Sequence, residues 1–214
     1  MESKKRLFEP KYDSDILLCS AYLAPVEYYQ AMANHENVLV EVCDFFEKQT
    51  FRNRCRIMTT NQLMDLTVPI IRQKEKCPLR DVRISYQEKW QQLHWRAIES
   101  AYNKSPFFEY YREDYEPIFS KKYDFLVDLN WKLMETTLSL LHLYVKVTST
   151  ESYKKTEELV NCKDARNEFL PKKEYDTHIS PYYQVFSDTF GFQPRLSIID
   201  LLFNMGPEGV LYLK

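Results

Sequence analysis

The sequence predicts an α/β fold: a short mixed, partly parallel sheet, covered by helices, with a helical segment at about 88–146. Three observations carry this. Near the start, strand-like and helix-like stretches alternate within about thirty residues, the size of a βαβ unit, which favours parallel strands. The middle of the chain shows apolar residues at helical spacing. Glycine occurs only three times in 214 residues, too seldom for a sandwich built on many tight turns.

The elements follow in order. Ile16 to Cys19 is a short apolar run and reads as a buried strand. Pro25 suits the first position of a helix, where its missing N–H costs nothing. Val26, Tyr29, Gln30 and Ala33 then form one inward stripe. Val38 to Cys43 reads as the second strand, which makes the opening Rossmann-like. Asn53–Thr60 and Gln62–Ile71 are strands joined by a short polar turn. In the first, Arg52, Arg54 and Arg56 alternate with Asn53, Cys55 and Ile57, so each set shares a face. Val82, Ile84 and Tyr86 alternate in RDVRISY as a further strand.

Trp90, His94, Ala97, Ile98 and Ala101 then keep the spacing of one helix face. Ser105-Pro106 breaks that helix, and another starts at Phe107 and runs to about Phe119. A third carries Leu126, Leu129, Leu133, Thr137, Leu140, Leu141 and Tyr144 on one stripe. VKVTS reads as a returning strand, and the polar stretch 151–176 as a long loop with at most one short helix. Near the end, Ser197 is placed to cap IIDLLFN, with Asp200 as the capping-box acid. Gly206 supplies the left-handed stop and Pro207 prevents continuation. The whole reads as a single domain over residues 1–214.

Composition narrows the function classes. The net charge of −2 gives no global attraction to nucleic acid. No apolar run approaches the length of a membrane span, so membrane insertion is not expected. The start resembles a lipoprotein signal only superficially: Glu9, Asp13 and Asp15 occupy positions that should be apolar, and Leu18 precedes Cys19. Five scattered cysteines without a CxxC pair read as reduced thiols of a cytoplasmic protein. His35, His142 and His178 show no ligand spacing with acids or cysteines, so no metal site is expected. No GxSxG, Walker A or DxD-like motif is present, and nothing in the sequence selects a cofactor.

Four stretches carry a resemblance: AYLAPVEYY (21–29), KQTFRNRC with LTVP after it (48–55, 66–69), WQQLHWRAIESAYNKSPFFEYY (90–111) and YYQVFSDTFGFQPRLSIIDLLFNMGPE (182–208). In this order and spacing the chain resembles the WbqC-like family, in its Bacteroidetes form especially. That family is found beside genes for O-antigen and other bacterial surface polysaccharides. The resemblance implies a cytoplasmic role near modified-sugar or polysaccharide assembly, with no settled reaction to carry over. Broader members also have a Gly-rich segment followed by Tyr, where this chain has ESYKKTEELVNCKDARNEFLPKK, without glycine.

Ligands of parallel sheets sit beyond the carboxyl ends of the strands. The expected rim is Tyr22, Asp44, Lys48, Gln49, Arg52, Asn53 and Arg54. Its arginines suit phosphate or carboxylate, and its amides can orient sugar hydroxyls. The alternative is that the arginines are the wet face of a strand, paired with Glu41, Asp44, Glu47 or Asp81. His94 is either a general base or a packed histidine with one hydrogen bond. Asp200 and Tyr183 read as cap and core, while Asn204 either lines a pocket or is structural.

The expectation for function is therefore an enzyme. It would bind an anionic small molecule or a nucleotide-linked sugar, with Asp44 or His94 moving a proton. The alternative is a non-catalytic binding or assembly protein with a protein partner, which the missing glycines and the many aromatic residues motivate.

Overall fold

The computed structural model describes residues 6–72, 75–172 and 179–214. β1 (Asp15–Cys19), α1 (Val26–Ala33) and β2 (Asn37–Glu41) form the expected βαβ unit. The two strands are parallel, with Ile16 opposite Val38 and Leu18 opposite Val40. Two more strands extend this sheet in parallel: β5 (Lys146–Ser149) beside β2 and β6 (Cys162–Asp164) beside β1. The order is β5-β2-β1-β6. The antiparallel component forms a separate two-stranded sheet, β3 (Arg54–Met58) with β4 (Leu63–Thr67).

Local chemistry sets several boundaries differently from the sequence pattern. Pro25 is the residue before the helix, with ψ of 160°, rather than its first residue. The inward side of α1 also includes Tyr28 and Met32. β2 stops at Glu41, where the Glu41 carboxylate accepts the N–H groups of Cys43 (2.7 Å) and Asp44 (3.2 Å). RDVRISY forms no strand. Its first two residues close a 3₁₀ turn at Leu79–Asp81, and isolated bridges run from Ile84 to Ile70 and from Arg83 to Phe125. The expected loop at 151–176 contains β6, a strand too short for periodicity to reveal.

The helical middle is α2 (Trp90–Tyr102), α3 (Phe108–Ser120) and α4 (Leu126–Leu140). After the short α5 (Ser187–Phe190) comes α6 (Ile198–Met205). Phe203 sits at the centre of the aromatic core, edge-on to Tyr102, Phe108 and Tyr115 at 5.3–5.6 Å. Gly206 ends α6 at φ of 58°, and a Cβ there would lie 2.6 Å from the Phe107 ring. The chain then continues as a 3₁₀ helix, so Pro207 redirects it without stopping all helical structure.

Helices cover one face of the parallel sheet. Ile16, Leu18, Val38 and Val40 point into the main core there. Leu17 and Leu39, on the opposite face, floor a cavity of about 540 Å³ walled by residues 148–160. Among the described residues, no helix is long and apolar enough to cross a membrane. All five cysteines are free thiols.

Candidate functional site

The chain leaves β1 toward β2 on one side, and β6 returns on the other. The carboxyl ends of β1 and β6 therefore mark the switch point of the sheet, where α/β proteins bind ligands. A pit of about 20 Å³ lies there, lined by Cys19, Ser20 and Ala21 beyond β1, Ala165 and Arg166 beyond β6, and Thr50 to Arg52. That is room for about one water-sized group, such as a single oxygen of a larger ligand.

Arg52 reaches the pit because the segment before β3 is pinned to the end of β1. The Tyr22 N–H donates to the Phe51 carbonyl at 2.8 Å. Asn130 of α4 donates to both the Arg52 carbonyl (2.9 Å) and the Ser20 hydroxyl (3.1 Å). The Arg52 side chain is only 2% exposed. Its Nη1 pairs with Glu47 at 3.1 Å, and Nη2 lies 3.9 Å from Asp44. Among the described residues, its Nε and Nη2 have no oxygen acceptor within hydrogen-bond distance, and the neighbouring Cys19 thiol interacts with the guanidinium. Buried, unsatisfied N–H groups on a cation are costly, and an anion supplies what they lack.

Arg166 is the contrasting case. Its guanidinium meets Asp164 through two bonds (2.9 and 2.6 Å), the Lys154 carbonyl (2.9 Å) and Glu41 (3.4 Å). The Tyr153 ring covers it at 4.7 Å. Arg166 holds the Asp164 carboxyl down to about 2. All three of its nitrogens are occupied, so it is a strut of the site rather than a free donor. Burial pushes the Cys19 thiol up to about 11, so it is protonated at neutral pH and a poor nucleophile.

The expected rim residues separate. Arg52 and Asp44 come together, as described. Arg54 and Arg56 both bind Asp65 across the hairpin, at 3.3 and 2.8 Å, as the paired wet face of a strand. Asn53 is buried and donates to the Val68 carbonyl at 2.8 Å. Gln49 is exposed and accepts from Lys172 at 2.9 Å. Lys48 faces a different cavity, with Phe46 and Ile70. Tyr22 is fully buried and bonded to His94 Nδ1 at 2.9 Å. His94 packs edge-on to Trp90 and is 6% exposed, so the open cleft that a general base needs is missing. Burial lowers its pKa to about 4, with a backbone hydrogen bond at Thr67 opposing the shift.

The C-terminal motif is also rearranged. Ser197 occupies the cap position, but its side chain makes no cap bond. Asp200 is no capping-box acid: its carboxylate accepts from the Tyr182 hydroxyl (2.7 Å) and the Gln184 amide (2.9 Å). Burial raises it to about 6, against the pull of those donors. Tyr183, expected in the core, is 54% exposed, and Tyr182 is the buried ring. Asn204 is buried, with its amide on the Asp200 carbonyl at 2.8 Å.

Sequence reading missed Arg166, Asn130 and Ser20. Arg166 follows a three-residue strand inside a polar stretch, and Asn130 interrupts an apolar helix stripe, the one signal that was available. Among the described residues no three His, Cys, Asp or Glu side chains are grouped to hold a metal ion, and His178 lies outside those residues.

Fold and pit together define an α/β protein with a parallel sheet and a buried arginine at its switch point. The chain belongs to the WbqC-like protein family, whose family model matches residues 20–212. It is also similar to the uncharacterized protein Rv1507c of Mycobacterium tuberculosis (strain ATCC 25618 / H37Rv). The two are 26% identical over 223 residues, covering 91% of this chain and 95% of the relative. No solved structure matches the chain.

Proposed function

We propose that this protein is a cytoplasmic group transferase of O-antigen or surface-polysaccharide biosynthesis, acting on a nucleotide-linked sugar or acyl-type substrate. The observation that supports this is the Arg52 guanidinium, buried at the switch point with Nε and Nη2 lacking a hydrogen-bond acceptor among the described residues. A phosphate or carboxylate oxygen of the substrate takes those two donors. Asp44, 3.9 Å from Nη2 and partly exposed, is the carboxylate placed to accept a proton from the acceptor's hydroxyl or amine. Asn130 is a positioning residue, holding the Arg52 backbone against β1.

The test is a thermal-shift screen of wild type, Arg52→Ala and Arg54→Ala against nucleotides, nucleotide sugars and acyl donors. A ligand at about a hundred times its Kd stabilises by about 2.7 kcal/mol, a shift of several degrees. The expected result is a shift in wild type and Arg54→Ala that Arg52→Ala loses while remaining folded. A shift that survives in Arg52→Ala, or none with any compound, overturns the reading.

A second reading, a non-catalytic assembly protein, rests on the edge strand β5. Beside it runs an open groove of about 620 Å³ lined by Trp131, Leu138 and Val147. An unpaired edge next to apolar surface suits an added partner strand. Purification from native cytosol as a monomer without a partner counts against this reading.

A further inference from the structure

The run KQTFRNRCRI feeds a second cavity, distinct from the pit. Its volume is about 500 Å³. Its apolar lining comes from Phe46, Ile70 and Val82, and its cations are Lys48, Arg72 and Lys76. Glu75 is the one acid among the described lining residues. Backbone pairing builds the frame. The Phe46 N–H donates to the Cys77 carbonyl at 2.9 Å, Phe45 bridges Pro78, and Ile70 bridges Ile84.

The charge pattern sets this cavity apart. Arg52, Arg54, Arg56 and Arg166 all have carboxylate partners. Among the described residues, Lys48, Arg72 and Lys76 form no ion pair, and the Lys76 ammonium rests 5.7 Å from the centre of the Phe45 ring at the cavity's edge. Three cations against one acid over an apolar floor leave a local positive field where low-dielectric walls strengthen it. Inorganic anions gain only the charge term there, and neutral apolar molecules only the burial term.

We infer that this cavity binds an anionic amphiphile: an acyl or aryl chain on the partly exposed Phe46 and Ile70, backed by the buried Val82, with its phosphate, sulfonate or carboxylate among Lys48, Arg72 and Lys76. The site stands independently of the reading proposed for Arg52. The segment Asp44–Arg52 contributes to both, with Lys48 turned to one cavity and Arg52 to the other.

The experiment follows the fluorescence of anilinonaphthalene sulfonate bound to the full chain. Octyl phosphate, inorganic phosphate and octyl glucoside are the competitors. Octyl phosphate is expected to displace the dye at concentrations about tenfold or more below the other two, a difference of about 1.4 kcal/mol or more. Lys48→Glu/Lys76→Glu is expected to weaken octyl phosphate by about tenfold or more, as reversing two cations near an anion requires. Both positions are exposed, and a circular-dichroism melt verifies that this variant folds. Arg52→Ala is expected to leave the displacement unchanged. Equal displacement by octyl glucoside overturns the inference, as does undiminished octyl phosphate binding in the double variant. Loss of octyl phosphate binding in Arg52→Ala also overturns it, by assigning the anion to the pit.

Discussion

Arg52 and Arg54 are two residues apart in one basic run, yet the fold gives them opposite surroundings. Arg54 stands on β3 and shares Asp65 with Arg56 on a solvated hairpin face. Arg52 stands just before β3, where the chain bends toward β1, and is buried with two of its nitrogens lacking a hydrogen-bond acceptor among the described residues. Strict alternation puts them on one face, but alternation holds only inside the strand. The comparison teaches that a charge run is not a unit. Pairing across the hairpin engages one arginine at a wet surface, while its neighbour is buried at the sheet's end, paired with Glu47 and Asp44 but with part of its guanidinium unmatched among the described residues.

Arg166 extends the contrast to a buried arginine that is fully satisfied, and it carries the largest expected effect. Arg166→Ala strands Glu41, which is fully buried, beside Asp164. Breaking a buried pair in this way costs about 3–5 kcal/mol, measured by urea unfolding. A loss below about 1 kcal/mol, the range of exposed pairs, puts Arg166 in the same class as Arg54.

Next come two titrations of opposite sign. Asp200 is raised to about 6, so the folded state holds its proton above the ordinary carboxylate range. Its contribution to stability falls as pH rises from about 4 to 6. His94 is lowered to about 4, so only the unfolded state holds its proton between about 4 and 6.5. Its contribution rises with pH over that window and is complete above it. Each amounts to about 3 kcal/mol, since a tenfold change in proton affinity is worth about 1.4 kcal/mol. In wild type they offset one another. Asp200→Asn is expected to make stability climb from pH 4 to 6, and His94→Gln to make it fall, read from unfolding at several pH values. Identical slopes in both variants remove these two groups from the account.

Gly206→Ala ranks third. A side chain at φ of 58° that also meets the Phe107 ring costs about 1–3 kcal/mol, seen as a lower Tm with ligand binding intact. The smallest effect is expected at the hairpin. Arg54→Ala changes stability by less than about 1 kcal/mol, since Arg56 keeps Asp65 paired and the surface is wet. A larger loss means that the hairpin pair carries more than its exposure allows.

The strand–helix–strand opening, the three middle helices and the stop at Gly206 were legible because each leaves a local mark in periodicity or turn chemistry. β6 left none: three residues in a polar stretch become a strand only because β1 offers a free edge. The arrangement of the expected rim was readable only in small part. Asp44 and Arg52 do meet, whereas Asn53, Arg54, His94 and Asn204 are each engaged elsewhere.

By itself, the sequence determined the opening strand–helix–strand unit, the three middle helices and the basic run that follows the second strand. The tertiary structure alone decided what each polar group meets. Asp200 looked like a helix cap and instead binds Tyr182 and Gln184, eighteen and sixteen residues upstream. Arg52 looked like its alternating neighbours and instead faces a pit closed by β6, more than a hundred residues away in the chain. Periodicity records which side of an element is buried. It carries no record of the partner, because that partner is brought in by contacts distant in sequence, and the partner determines whether a buried charge is satisfied or free to bind.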